Sequence, residues 1–181
     1  LGTAALAAIA WTGIVFFGEP LLRLFGAEQT LLPLTKAYLF PIKIVIPVFV
    51  FNQMLAAFLR NDNAPGLATA AVLGGGIFNV FGDYFFVFAM DMGILGAGLA
   101  TAAGACITLL IMLTHFFSKH CTLKFVSIHY LFIKVKGILT TGFSTFFVDL
   151  AVGIMTMLFN RQIVRYLGTD ALSVYGLIVN I

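Results

Sequence analysis

Asn79 and Asp83 stand four positions apart in the run NVFGDYFFVF, and Thr101 follows in MGILGAGLATAAG. Side chains four apart on a helix share one face, so in a helical run the amide and the carboxylate point the same way. Carboxylate, amide and hydroxyl oxygens are the ligands that hard cations prefer, and a carboxylate can equally take up a proton. The setting of Asp83 sharpens the question, because residues 78–90 hold no other charged side chain. An acid near the centre of a bilayer costs about 2.5 to 3.5 kcal/mol on insertion scales, which makes it a mark of function. The competing reading has Asp83 reaching the outer interface beside Tyr84, an aromatic-belt position.

Composition settles the solvent. Of 181 residues, 61% are hydrophobic and 9% charged, against roughly 25% charged in an ordinary soluble domain. Such a chain cannot cover itself with polar surface, and several runs reach the ~20 apolar residues that a membrane-spanning helix needs. The fold class is therefore all-α, a polytopic transmembrane helix bundle in contact with lipid. The net charge of +3 does not signal nucleic acid, because the basic residues sit at the ends of apolar runs and not on one face.

The elements that must position Asn79, Asp83 and Thr101 follow from the punctuation. Spans are expected over residues 1–17, 37–59, 67–88, 95–117 and 138–159, with a truncated sixth after a loop over residues 160–171. The chain is expected to begin within a longer protein, since no methionine or signal-peptide leader opens it. Pro41 and Pro47 predict a bend in the second span, through lost hydrogen bonds and ring clash. The tight turn AMDMGI makes the third and fourth spans antiparallel neighbours. At 1.5 Å per residue, Asp83 lies roughly 9 Å below that turn and Thr101 roughly 13 Å below it on the returning helix. Gly96, Ala100 and Gly104 recur every fourth residue, the spacing that lets helix backbones approach. Gly74, Gly75 and Gly76 predict close packing or a bend.

Residues 118–137 carry Lys119, Lys124, Lys134 and Lys136 without an acid, and read as an amphipathic connection on the membrane surface. The excess of lysine places it in the cytoplasm; alternation puts RNDNAPG inside as well and AMDMGI outside. Lys43, inside the second span, is expected to snorkel outward. His115, His120 and His129, in or beside the basic stretch, are expected to be solvated surface residues. Cys106 and Cys121 lack CxxC spacing and nearby histidine ligands, and read as free thiols. Asp149 is the second acid within a predicted span.

The ordered series LRNDNAPG, NVFGDYFFVF, MGILGAGLATAAG and FNRQIVRYLGTDALSVYG resembles the MATE (multidrug and toxic compound extrusion) family, in particular its bacterial multidrug branch. The resemblance implies a two-lobed fold of twelve spans, of which this chain holds the third to seventh and part of the eighth. It divides the chain into residues 1–117 from the amino-terminal lobe, a linker over 118–137, and residues 138–181 opening the second lobe. It implies a multi-pass protein of the bacterial cell membrane, monomeric at full length. The implied activity is antiport, with Na+ or H+ flowing inward while small organic, often cationic, drugs leave; no other cofactor is implied. Asn79, Asp83 and Thr101 match the family's cation site, and Ala97, one turn before Thr101, matches a position that supplies a backbone oxygen. A further acid of that site lies on the family's first span, outside this chain. Asp149 is a candidate for the functional acid of the second lobe.

Two other classes fit the same residues less well. A related flippase of lipid-linked glycan shares the two-lobed fold, but such proteins line their cavity with basic residues that these spans lack. An intramembrane aspartyl protease would pair two buried acids around one proton. VFGD lacks its G-x-G-D pattern and Asp149 lacks a preceding Tyr, so no enzyme is expected.

Overall fold

The computed structural model describes residues 2–24, 31–123 and 131–179. All regular structure among them is helical, as the composition requires: in a bilayer core a helix satisfies its backbone groups within itself. The helices are α1 (Gly2–Leu24), α2 (Leu32–Asn61), α3 (Pro65–Asp83), α4 (Gly93–Leu113) and α5 (Leu131–Val179). Among the described residues, five stretches are long and apolar enough to cross a membrane: Ala7–Leu24, Leu32–Asn61, Pro65–Ala89, Gly93–Phe117 and Val135–Gly168. The chain divides into two compact units, Leu1–Leu21 with Gln29–Lys124, and Leu22–Glu28 with Phe125–Ile181.

In the first unit α4 is the central element, packed against both α2 and α3. Small residues make this possible. A Cβ built on Gly75 would lie 2.6 Å from the Gly104 carbonyl oxygen, and one on Gly104 would lie 2.7 Å from that of Gly75. On the other side of α4, a Cβ on Gly98 would meet the Tyr38 carbonyl oxygen at 2.4 Å and the Pro41 ring at 2.8 Å. Gly75 and Gly104 thus let α3 and α4 touch backbone to backbone, and Gly98 does the same for α2. Of the three consecutive glycines, Gly76 faces open space, where a Cβ would meet nothing within 4 Å. Nearer the RNDNAPG turn, Leu55, Ala56, Leu59, Ala68, Ala71 and Met112 close a small apolar core among the same three helices.

Several boundaries differ from the sequence reading. α1 continues beyond residue 17 with a kink at Phe17 (φ −108°, ψ 15°), so GEPLLRL is helical and carries Pro20. α2 begins five residues earlier than expected, and Pro41 and Pro47 lie within it without a break in helical backbone geometry. The carbonyls of Ala37 and Lys43 lose the amide donor they would otherwise have, but the neighbouring turns hold. α3 passes directly into a π-helical turn, Tyr84–Ala89. The return into α4 needs the left-handed conformations of Asp91 (φ 53°) and Gly93 (φ 55°). The Lys43 ammonium rests against Gly18 of α1, where a Cβ would meet it at 2.8 Å.

The largest correction is in the second unit. The expected loop over residues 160–171 is helical except for a break at Gly168 inside it, and the expected connection over 118–137 ends inside α5, which starts at Leu131. The helix is interrupted only at Gly168, whose φ of 81° and ψ of −179° few residues other than glycine adopt, so the expected start of a sixth span is the segment beyond this break. Polar residues such as Asn160, Arg161 and Arg165 mark a change of solvent along a helix as readily as they mark its end. Residues 124–130, with Lys124 and His129, lie outside the described residues.

His115 is a second correction. It is buried, with its side chain only 4% exposed, and bonds through Nε2 to Asp62 at 2.6 Å. His120 is exposed as expected. Both cysteines are free thiols, but Cys121 does have a histidine neighbour, His115.

Candidate functional site

Thr101 is the hub of the site. Its hydroxyl donates to the carbonyl of Ala97 one turn earlier (3.0 Å) and accepts from the Asn79 side-chain amide (3.3 Å). The Tyr38 hydroxyl lies 3.3 Å from the same oxygen; because the one Thr101 proton goes to Ala97, Tyr38 is the donor here. Three helices therefore meet at one hydroxyl: α2 through Tyr38, α3 through Asn79, and α4 through Thr101 and Ala97.

Asp83 lies on α3 one turn beyond Asn79. Its neighbour Gly82 packs against Ala100, where a built Cβ would stand 3.1 Å from the alanine methyl, so Asp83 and Thr101 follow directly on a point of α3–α4 contact. The carboxylate is not hydrogen-bonded to Asn79 or Thr101. Its Oδ1 is buried with no hydrogen-bond partner among the described residues. A buried anionic oxygen without a donor is unfavourable by several kcal/mol unless a cation or proton meets it. The π-helical turn begins immediately after Asp83, and such turns occur often at functional sites because they shift the register of everything that follows.

Below this cluster a cleft of about 310 Å³ opens between α2, α3 and α4, lined by Asn52, Gln53, Asn79, Thr101 and Thr108 among others. Asn52 donates to the Ala105 carbonyl at 2.9 Å, and its buried Oδ1 has no hydrogen-bond partner among the described residues. The cleft thus offers amide and hydroxyl groups on apolar walls, a surface suited to hard cations or to polar parts of an organic molecule.

Of the residues singled out from the sequence, Asn79, Thr101 and Ala97 come together, and Asp83 stands beside them. Asp149 belongs to the second unit, on α5, where its side chain is exposed. Tyr38 and Asn52 were missed. Tyr38 lies 63 positions before Thr101, so no local spacing connects them. Asn52 is a polar residue within an apolar span, and the cost of placing an amide there was the available signal.

Fold and site together define a polytopic all-α membrane protein with an oxygen-lined cleft among three helices. The family to which the motifs pointed is MATE, and residues 1–85, which include Asn79 and Asp83, match its MatE model. The chain is 26% identical over 167 residues to the multidrug export protein MepA of Staphylococcus saprophyticus, covering 90% of this chain and 36% of that protein. It is 24% identical over 181 residues to MepA of Staphylococcus aureus strain MW2, covering 97% of this chain and 39% of that protein. The chain thus spans less than two fifths of the length of these relatives. No solved structure gave a significant match.

Proposed function

We propose that this chain is part of a cation-coupled exporter of small organic, often cationic, molecules in a bacterial cell membrane. In this reading the coupling ion, Na+ or H+, is held by the Asp83 carboxylate with the Asn79 side-chain oxygen, the Thr101 hydroxyl and the Ala97 carbonyl. The observation that carries it is the buried Asp83 Oδ1 without a partner, beside an amide, a hydroxyl and a phenol that already form one network. A proton on Asp83 supplies its own donor, and a sodium ion supplies charge; either satisfies the orphaned oxygen.

The same geometry supports a route for coupling. Occupation of the site draws together groups on α3 and α4, while Tyr38 ties α2 to the same hydroxyl, so the width of the cleft responds to the ion. Drug efflux by the full-length protein with Asp83→Asn, normalised to membrane abundance, tests the proposal. Asparagine keeps volume and most hydrogen bonding but removes the titratable charge. Efflux is expected to fall sharply and to lose its dependence on the ion gradient. Gradient-dependent efflux at the wild-type rate would show that Asp83 is an interfacial side chain with no part in coupling.

A further inference from the structure

A second cluster of chemically active side chains sits where α2 and α4 end, on the side of the first unit that carries the RNDNAPG turn. Asp62 follows the last residue of α2 and accepts a hydrogen bond from the Thr122 backbone amide at 3.1 Å. Its other carboxylate oxygen accepts from the Thr122 hydroxyl. His115 stands in a 3₁₀ turn after α4, Thr114–Phe117, with its Nε2 2.6 Å from Asp62 Oδ2. Two successive turn bonds, Ser118 N–H to the His115 carbonyl at 2.9 Å and Cys121 N–H to the Ser118 carbonyl at 3.2 Å, fold the chain back. They bring Cys121 beside its own helix end. The Asp62 carboxylate oxygen, the His115 nitrogen and the Cys121 sulfur all lie within 4.8 Å of one another.

We propose that Asp62, His115 and Cys121 form a three-ligand binding site for a thiophilic divalent metal ion, Zn2+ above all, at the membrane surface. The donor set of carboxylate, imidazole and thiolate is one that Zn2+ accepts and that Mg2+ or Ca2+ does not. Bond lengths of about 2.0 to 2.3 Å put neighbouring ligands in a tetrahedral site roughly 3.3 to 3.6 Å apart. The His115–Asp62 contact of 2.6 Å must therefore open by about 0.7 Å, and no other pair, all within 4.8 Å, needs to close by more than about 1.5 Å, which are side-chain adjustments.

The surroundings suit such a site. Asp62 and His115 are each only 4% exposed, and Thr122 holds the carboxylate through two donors, as outer partners of metal ligands do. Cys121 is partly exposed, giving the ion a way in and leaving a fourth position for water. On binding, the Cys121 thiol releases its proton to solvent, and His115 takes the Nδ1–H tautomer so that its Nε2 lone pair meets the ion. The metal would bind the end of α2 to the segment that leaves α4.

The test uses the purified full-length protein, stripped with chelator and titrated with Co2+. A thiolate-to-cobalt charge-transfer band and tetrahedral visible bands are expected, displaced by about one equivalent of Zn2+. Cys121→Ser leaves the Asp62–His115–Thr122 contacts in place, so it should fold normally and lose the charge-transfer band. In parallel, Zn2+ should slow maleimide alkylation of Cys121 at least tenfold while leaving Cys106 unchanged. A wild-type spectrum without charge transfer, a band that persists in Cys121→Ser, or alkylation of Cys121 at the same rate with and without Zn2+ would each overturn the proposal.

Discussion

Thr101 illustrates how much one hydroxyl can organise. It is the single atom shared by Tyr38, Asn79 and the Ala97 carbonyl, so its removal breaks a hydrogen-bonded link among three helices without altering any charge. A hydrogen bond of this kind contributes about 0.5 to 1.5 kcal/mol, or roughly 2- to 10-fold in an equilibrium constant. Tyr38→Phe is therefore expected to weaken coupling-ion affinity by about that factor, and Thr101→Val by more, because it removes three contacts at once. Ion titration of drug efflux in both variants measures this; unchanged ion dependence in Thr101→Val would take the hydroxyl out of the site. The second cluster follows the same logic with an opposite charge balance. Hydrogen bonds from the Thr122 hydroxyl, from His115 and from the Thr122 amide hold the Asp62 carboxyl down at about 2, so the carboxylate is the form present in the cell.

At the scale of elements, α4 meets α3 and the turn that extends it along the small-residue stripe, with Gly104 against Gly75, Ala100 against Gly82 and Gly96 against the Phe86 backbone, and the tightest approach is at Gly75 and Gly104. Gly104→Ala would put a methyl carbon 2.7 Å from the Gly75 carbonyl oxygen, closer than real contacts allow, and that neighbour is backbone and cannot turn aside. Overpacking of this sort costs about 1 to 3 kcal/mol. Gly76→Ala meets nothing within 4 Å and exchanges glycine for the best helix former. Thermal unfolding in detergent should show a lowered midpoint for Gly104→Ala and an unchanged or raised one for Gly76→Ala. The prediction fails if the two variants unfold alike. A widened α3–α4 gap would also draw Asn79 away from Thr101, so Gly104→Ala is expected to impair efflux beyond its effect on abundance.

At the scale of the whole molecule, the RNDNAPG turn and the residues after α4 lie on one side of the first unit, because Asp62 bonds both His115 and Thr122. From the lysines that follow, we propose that this side faces the cytoplasm. A membrane-impermeant maleimide applied to intact cells, in chelator and with Cys106 replaced by serine, should leave Cys121 unmodified until the membrane is permeabilised. Rapid labelling from outside would invert the orientation. α5, by contrast, presents apolar side chains such as Phe143, Phe146 and Leu150 to its surroundings.

Amino-acid composition and punctuation alone determined that this is an all-α membrane protein and where most of its spans lie. Hydropathy and length act locally, one helix at a time. The four-residue spacing of Asn79 and Asp83 likewise fixes a shared helix face, because 3.6 residues per turn leaves no alternative. Only tertiary structure decided that Tyr38 completes the Thr101 network, that Asn52 lines the same cleft, and that His115 is buried against Asp62. These meetings join residues 63 and 53 positions apart, and they depend on how far each helix is rotated and how closely Gly75, Gly98 and Gly104 let the backbones approach. The continuity of α5 through NRQIVRYLG was misread for a related reason: polar residues report a change of solvent, whereas a helix ends only where its backbone must turn, as at Gly168.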